Sequence, residues 1–144
     1  MELLPRLLRE KGVAYENNPN LDIREYIHDM PDCLAAADLV IARAGAITLA
    51  ELTAVGRASV LIPSPNVAEN HQYHNAMVLA NHKAAVVIEE KDLTGEKLVA
   101  AVKEMTADPE KLREISLAAK ALGVPNACGH ITDELLDLYK THRK

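Results

Sequence analysis

The sequence contains no phenylalanine and no tryptophan, so leucine, valine, isoleucine and alanine must supply almost all of its core. Its two cysteines, Cys33 and Cys128, are far apart and belong to no CxxC pattern. That spacing favours free thiols in a reducing compartment over a disulfide framework. No apolar run approaches the length of a membrane-spanning helix, and no signal peptide is visible. We therefore expect a cytoplasmic protein that contacts a membrane at most peripherally.

Positive charge is also scarce. The net charge is −5, and the only basic cluster is the short C-terminal stretch KTHRK. We therefore do not expect nucleic acid as a partner. The 144 residues suffice for one ordinary domain or for part of a larger protein.

Short apolar runs alternate with helical patterns along the chain. Strands are predicted for GVAYEN, LDIREYI, DLVIAR, ASVLIPS and AAVVIEE. Helices are predicted for the leucine-rich opening, for MPDCLAAAD, from Ala46 to a C-cap at Gly56, for ENHQYHNAMVLANH, and over 96–107, 109–122 and 126–139. This alternation is typical of an α/β fold with a Rossmann-like parallel sheet, in which DLVIAR is buried on both faces.

Ligands of such sheets bind beyond the carboxyl ends of the strands, where ARAGAITLAEL follows a predicted strand. Gly45 is expected to allow a tight turn, and the next amides, beginning with Ala46, lie unpaired at a helix N-terminus. Glu51 is too far into the helix to cap it. Its carboxylate is suited to accept hydrogen bonds from a vicinal diol such as ribose, and the alternative is a solvated surface glutamate.

A second polar stretch, NHQYHNA, follows the next predicted strand. Gln72 and Asn75 share one helical face, and their amides both donate and accept, which suits sugar hydroxyls. The alternative is an ordinary polar helix start. His71 and His74 lack a third ligand in view, so a metal site is a weak hypothesis.

A third stretch, EYIHDM, offers Tyr26 and Met30 as a flat apolar wall for a base. His28 and Asp29 in the same stretch could form an acid/base pair. A polar loop is the simpler interpretation of these two residues.

Residues 26–76, from YIHDMPDC through ARAGAITLAEL to ENHQYHNA, resemble the donor-binding half of the MurG family of bacterial peptidoglycan glycosyltransferases. The resemblance extends with fewer motifs to the chain end, so residues 1–144 are expected to be a partial C-terminal UDP-GlcNAc-binding domain. It implies a GT-B architecture, in which two Rossmann-like domains face each other. It also implies an inverting, metal-independent transfer of GlcNAc from UDP-GlcNAc to lipid I, giving lipid II, on the cytoplasmic face of the inner membrane.

The same resemblance implies roles for individual residues. It assigns Glu51 to the ribose, and the backbone near Ile27 to the uracil with Tyr26 and Met30 close by. It assigns the Ala46 amide, Gln72 and Asn75 to the GlcNAc hydroxyls and diphosphate, with His71 adjoining, and leaves the role of Arg43 open. No catalytic residue and no cofactor are expected within this chain.

Two departures from the family pattern stand out. The glycine-rich loop that cradles the diphosphate is missing, so we expect the domain to lack its first strand or strands, and the lipid I acceptor to bind a missing N-terminal domain. The chain alone is therefore expected to be inactive, to bind donor weakly and to self-associate through exposed apolar surface. The second departure is Lys83, which stands where the family usually has glycine.

Two alternatives to the donor-binding function are a non-catalytic subunit of a two-chain glycosyltransferase and a generic nucleotide-binding module.

Overall fold

The computed structural model describes residues 3–142, which form seven α-helices and a three-stranded parallel sheet. The helices are α1 (Leu3–Glu10), α2 (Met30–Ala36), α3 (Ala46–Val55), α4 (His71–Asn81), α5 (Gly95–Ala107), α6 (Pro109–Ala121) and α7 (Ala127–Thr141). The strands are β1 (Leu39–Ala42), β2 (Ala58–Leu61) and β3 (Val86–Val87). The chain divides into two compact units, one ending at Pro31 and the other beginning at Asp32. None of the helices within residues 3–142 is long and apolar enough to cross a bilayer.

The sheet has the order β1-β2-β3, with β2 in the centre. Leu39 is aligned with Ala58 in the first pair of strands, and Val60 with Val86 in the second. Parallel neighbours need crossover connections, and α3 and α4 provide them. The α/β fold predicted from the sequence is confirmed.

Both faces of β2 are covered, and all four of its residues are buried. Alternate side chains of a strand point to opposite faces, so Leu61 joins one apolar cluster and Val60 the other. The first cluster contains buried side chains of α3 and α4, including Leu52 and Leu79. The second contains Met105 of α5 together with flanking residues of α6. The core is thus aliphatic apart from one methionine, as the composition predicts.

The C-terminal end of α3 packs closely against the end of α6. Gly56 is left-handed, with φ +69° and ψ +59°, and its amide donates to the carbonyls of Leu52 and Thr53. A Cβ on Gly123, just beyond α6, would lie 2.6 Å from the Thr53 carbonyl oxygen. Glycine at 56 therefore permits the turn, and glycine at 123 permits the close approach of two backbones.

Helix α4 ends in the same motif but with a different residue. The Lys83 amide donates to Ala80 O at 2.9 Å, and the Ala84 amide donates to Leu79 O at 2.8 Å. Lys83 has φ +57°, in the left-handed region that favours glycine. Lys83, where the family usually has glycine, therefore lies in a turn that a glycine would form with less strain.

Two of the predicted strands are wrong. Residues 11–29 form turns and irregular segments instead of the strands predicted for GVAYEN and LDIREYI. Local side-chain bonds hold these segments: Asn18 Nδ2 donates to Ala14 O at 3.0 Å, and Arg24 pairs with Asp22 and Asp29. Alternating polarity alone does not make a strand, because a strand needs a hydrogen-bonded neighbour.

Two other strands are shorter or less covered than predicted. DLVIAR was expected to be buried on both faces, yet β1 is the outer strand of the described sheet and its Ile41 is exposed. AAVVIEE contributes only two residues to the ladder. Apolar content predicted the strands, whereas the sheet order determined how fully each is covered.

Candidate functional site

The three strands end together at one side of the sheet, which we call the carboxyl edge. The Ile62 amide donates to Ala42 O at 2.9 Å and the Ile88 amide to Leu61 O at 3.0 Å, so the ladder continues to the last residue of each strand. Beyond this line the chain enters α3, the loop before α4 and the turn after β3. This edge is where ligands of open parallel sheets bind.

Helix α3 begins at the carboxyl edge without a side-chain cap from any described residue. The first bond into the helix is donated by the Leu49 amide to Gly45 O at 3.0 Å, so the earlier amides, beginning with Ala46, precede the helical ladder. The reason expected for glycine at position 45 is wrong. Gly45 has φ −67°, and a Cβ there would meet only Thr48 Oγ1 at an ordinary 3.7 Å.

Asn75 brings α4 next to the start of α3. Its Nδ2 donates to Ala44 O at 3.4 Å, two residues before Ala46, and the side chain is half-buried. Gln72 is also half-buried, and its Oε1 accepts from the Ser64 amide at 2.9 Å. Both amides therefore keep part of their hydrogen-bonding capacity for another partner.

The loop before α4 has an unusual backbone. Glu69 and Asn70 are both left-handed, with φ +52° each, although neither is a glycine. His71 begins α4, is exposed, and its Nδ1 donates to Ala68 O at 2.9 Å. This hydrogen bond restrains the orientation of the ring.

Glu51 lies in the second turn of α3 and is exposed. The structure therefore brings Arg43, Ala46 and Asn75 to one edge, and Glu51 belongs to the same helix as Ala46. The convergence of Glu51 with Gln72 and Asn75 on one ligand stays a prediction.

Arg43 interacts with an acidic residue that the sequence analysis missed. Its Nη1 donates to Ile62 O at 3.3 Å and forms an ion pair with Glu90. Hydrogen bonding to Glu90 raises the pKa of Arg43, and the same bond lowers the pKa of Glu90. The two positions are far apart in the sequence, so no local spacing could have revealed the pair.

An open groove of about 270 Å³ lies beside this ion pair. Its lining residues are Pro63, Pro65, Asn70, Tyr73, Glu89, Glu90 and Lys91. The sequence analysis also missed Tyr73 and Lys91. In the sequence, Tyr73 cannot be told from an aromatic residue of the core, nor Lys91 from a solvated surface residue.

The residues expected near a base lie in the N-terminal unit. Tyr26 is 70% exposed, and its ring centroid lies 4.8 Å from that of His28 at 59°. Ile27 is half-buried and Met30 is exposed. The ring contact gives His28 a packing role, while Asp29 pairs with Arg24.

No group of three or more His, Cys, Asp or Glu side chains able to hold a metal ion occurs within residues 3–142. His71 and His74 are both exposed on the first turn of α4. Among the described residues, the carboxyl edge offers the amides of Gln72 and Asn75, the carboxylate of Glu90 and the guanidinium of Arg43.

Comparison with known proteins identifies the fold family. The model of the glycosyltransferase family 28 C-terminal domain matches residues 7–131. This chain belongs to that family. As a family 28 domain, it has its α3 and α4 N-termini at the edge of the sheet where nucleotides bind in related α/β folds.

Named relatives agree with this assignment. The chain is 48% identical over 124 residues to a protein of Desulforamulus reducens named UDP-N-acetylglucosamine--N-acetylmuramyl-(pentapeptide) pyrophosphoryl-undecaprenol N-acetylglucosamine transferase, covering 86% of this chain and 33% of that protein. It is 45% identical over 134 residues to the Bacillus cytotoxicus protein of the same name, covering 93% of this chain and 36% of the relative.

A solved structure also resembles this family 28 domain. The crystal structure of Acinetobacter baumannii MurG matches with a TM-score of 0.73 and 31% identity, over 81% of this chain and 33% of the MurG chain. The chain therefore spans about one third of the length of the relatives that it matches.

Proposed function

We propose that this chain is the donor-binding part of an N-acetylglucosaminyltransferase that transfers GlcNAc from UDP-GlcNAc to lipid I, producing lipid II for peptidoglycan. The name shared by the relatives supports the reaction. The observation that carries the proposal is the start of α3, which has no side-chain cap from the described residues and lies against the Asn75 amide. Unpaired amides at a helix N-terminus attract phosphate oxygens.

Each side chain has a proposed role in donor binding. Glu51 accepts hydrogen bonds from the ribose hydroxyls, and the Ala46 amide contacts the diphosphate. Gln72 and Asn75 bind the GlcNAc hydroxyls, with His71 at their side. The uracil is bound by the backbone near Ile27, flanked by Tyr26 and Met30.

The proposed reaction is a single displacement with inversion at the anomeric carbon. The 4-hydroxyl of the acceptor attacks, the bond to the diphosphate breaks, and UDP leaves. Amides and helix N-termini stabilise the charge that develops on the diphosphate, without a metal ion. The acceptor site and the base that receives the hydroxyl proton belong to another part of the protein, because orienting two substrates requires both sides of a cleft.

Ligand selectivity tests the donor-binding proposal. NMR-detected titrations of the 144-residue chain should show weak binding of UDP-GlcNAc, weaker binding of UDP and still weaker binding of ADP. Equal affinity for UDP and ADP would instead support a generic nucleotide-binding module. The absence of any response to UDP-GlcNAc would overturn the proposal.

Location and assembly belong to the same proposal. The intact enzyme acts at the cytoplasmic face of the inner membrane, where lipid I is anchored. The isolated chain self-associates through apolar surface such as Ile41 on β1, which is 47% exposed. Light scattering coupled to gel filtration should give a mass that rises with concentration, and a constant monomer mass would contradict self-association.

A further inference from the structure

One guanidinium connects the ends of all three strands. Arg43 directly follows β1, its Nη1 donates to the carbonyl of Ile62 directly after β2, and it pairs with Glu90 in the turn after β3. A guanidinium suits this task, because it is planar and presents several donors in a fixed arrangement. Here one nitrogen, Nη1, contacts both the Ile62 carbonyl and the Glu90 carboxylate.

The connected segments are those that present the proposed donor contacts. Arg43 precedes Ala46, the first residue of α3, by three residues, so a restraint on Arg43 also limits the movement of the segment that enters α3. Ile62 leads into Ser64, whose amide donates to Gln72 at 2.9 Å. The same guanidinium therefore restrains the loop of the diphosphate contact and the loop of the sugar contact.

The exposure of the pair argues against a mainly stabilising role. The Arg43 and Glu90 side chains are 51% and 39% exposed. Ion pairs of this exposure contribute little to the free energy of unfolding, because water already solvates both charges well. The pair can therefore act mainly on the arrangement of the loops that it connects.

We propose that Arg43 and Glu90 are positioning residues that hold the loops after β1 and β2 in the arrangement that binds the donor. Neither residue touches the ligand, and the inference rests on the proposed function. Loss of Arg43 removes both contacts, and loss of Glu90 leaves the guanidinium without the carboxylate that orients it. The affinity for UDP-GlcNAc then falls while the fold persists.

A double-mutant cycle tests the pair. In NMR-detected titrations of the 144-residue chain, Arg43→Ala and Glu90→Ala should each weaken UDP-GlcNAc binding by roughly five- to tenfold. The double variant should be no weaker than Arg43→Ala, because Arg43→Ala already removes the interaction that Glu90→Ala removes. Glu90→Gln, which keeps the size and a hydrogen-bond acceptor, should lose less affinity than Glu90→Ala. The midpoint of thermal unfolding should shift by no more than about 3 °C.

A matched ion pair provides the control. Lys111 Nζ of α6 and Glu104 Oε1 of α5 are 2.7 Å apart, and their side chains are 47% and 73% exposed. Lys111→Ala should therefore leave the affinity for UDP-GlcNAc unchanged, and an equal loss there would overturn the inference.

The remaining outcomes separate the two proposals. If Arg43→Ala weakens binding while Glu90→Ala leaves it equal or improves it, Arg43 contacts the ligand directly and the positioning role is wrong. If the unmodified chain binds and Glu51→Ala weakens binding, but the pair has no effect, only the positioning inference fails. If the unmodified chain does not bind UDP-GlcNAc, the donor-binding proposal fails and the positioning inference fails with it.

Discussion

Helix termini at the two edges of the parallel sheet differ in how their backbone polar groups are hydrogen-bonded. At the edge opposite the carboxyl edge, α3 and α4 end in the same motif, with the Arg57 amide on Leu52 O at 2.9 Å and the Ala84 amide on Leu79 O at 2.8 Å. At the carboxyl edge, the start of neither helix receives a side-chain cap from the described residues. At this opposite edge, which we call the closed edge, the helix ends satisfy their own polar groups, whereas the carboxyl edge leaves donors for another molecule.

This difference separates stability from binding. Substitutions at the closed edge should change the free energy of unfolding and leave the affinity of the folded chain unchanged. Substitutions at the carboxyl edge should do the reverse. Gly123 and Lys83 at the closed edge, and Glu51 and Asn75 at the carboxyl edge, provide substitutions that test this separation.

Gly123→Ala should have the largest effect, a loss of about 2–3 kcal/mol in the free energy of unfolding. The new Cβ would lie 2.6 Å from Thr53 O and 2.9 Å from the Thr53 carbonyl carbon, and backbone atoms cannot rotate away as a side chain can. Urea denaturation measures this loss. Gly95→Ala is the control, because a Cβ there meets nothing within 4 Å, and its stability should be unchanged or slightly higher.

Glu51→Ala should weaken UDP-GlcNAc binding by about 1–3 kcal/mol, the range for a lost hydrogen bond to a charged group. The free energy of unfolding should change by less than about 0.5 kcal/mol, because the side chain is exposed. Titration and urea denaturation of the same samples give both values. Glu134→Ala, at an exposed position on α7, is the control and should change neither the affinity nor the free energy of unfolding. Unchanged affinity in Glu51→Ala would refute the ribose contact.

Asn75→Ala should weaken UDP-GlcNAc binding by about 1 kcal/mol, the value of a neutral hydrogen bond. The binding of UDP should change less, because the proposed contact is to the sugar. Parallel titrations with the two ligands measure the difference. An equal loss for both would show that the assignment of Asn75 to the GlcNAc is wrong.

Lys83→Gly should stabilise the chain by about 1 kcal/mol, since it relieves the cost of a left-handed residue with a side chain. Lys83→Ala keeps that strain and should bring no such gain. Neither change should affect donor affinity, because both lie at the closed edge. A loss of stability in Lys83→Gly would mean that its side chain contributes more than its backbone strain costs.

The agreement between sequence and structure follows the range of the interactions involved. The helix from Ala46 to Gly56 and the last three helices were predicted within about two residues, because caps, prolines and apolar periodicity are local signals. The strands predicted before residue 30 failed, because local bonds of Asn18 and Arg24 compete with an extended conformation. The Arg43–Glu90 pair joins the loop after β1 to the turn after β3. These positions are far apart in the sequence, so only the folded chain reveals the pair.

Residue patterns alone were enough to predict an α/β chain with an aliphatic core, and the motifs indicated the family that the comparison confirmed. Local patterns suffice for this, because burial periodicity and helix caps depend on neighbours within a few residues. The folded chain was needed to show which strand is fully covered, which residues accept the Arg43 hydrogen bonds and how Asn75 contacts the segment before α3. Those contacts join residues that are distant in the chain, and packing around β2 fixes their separation.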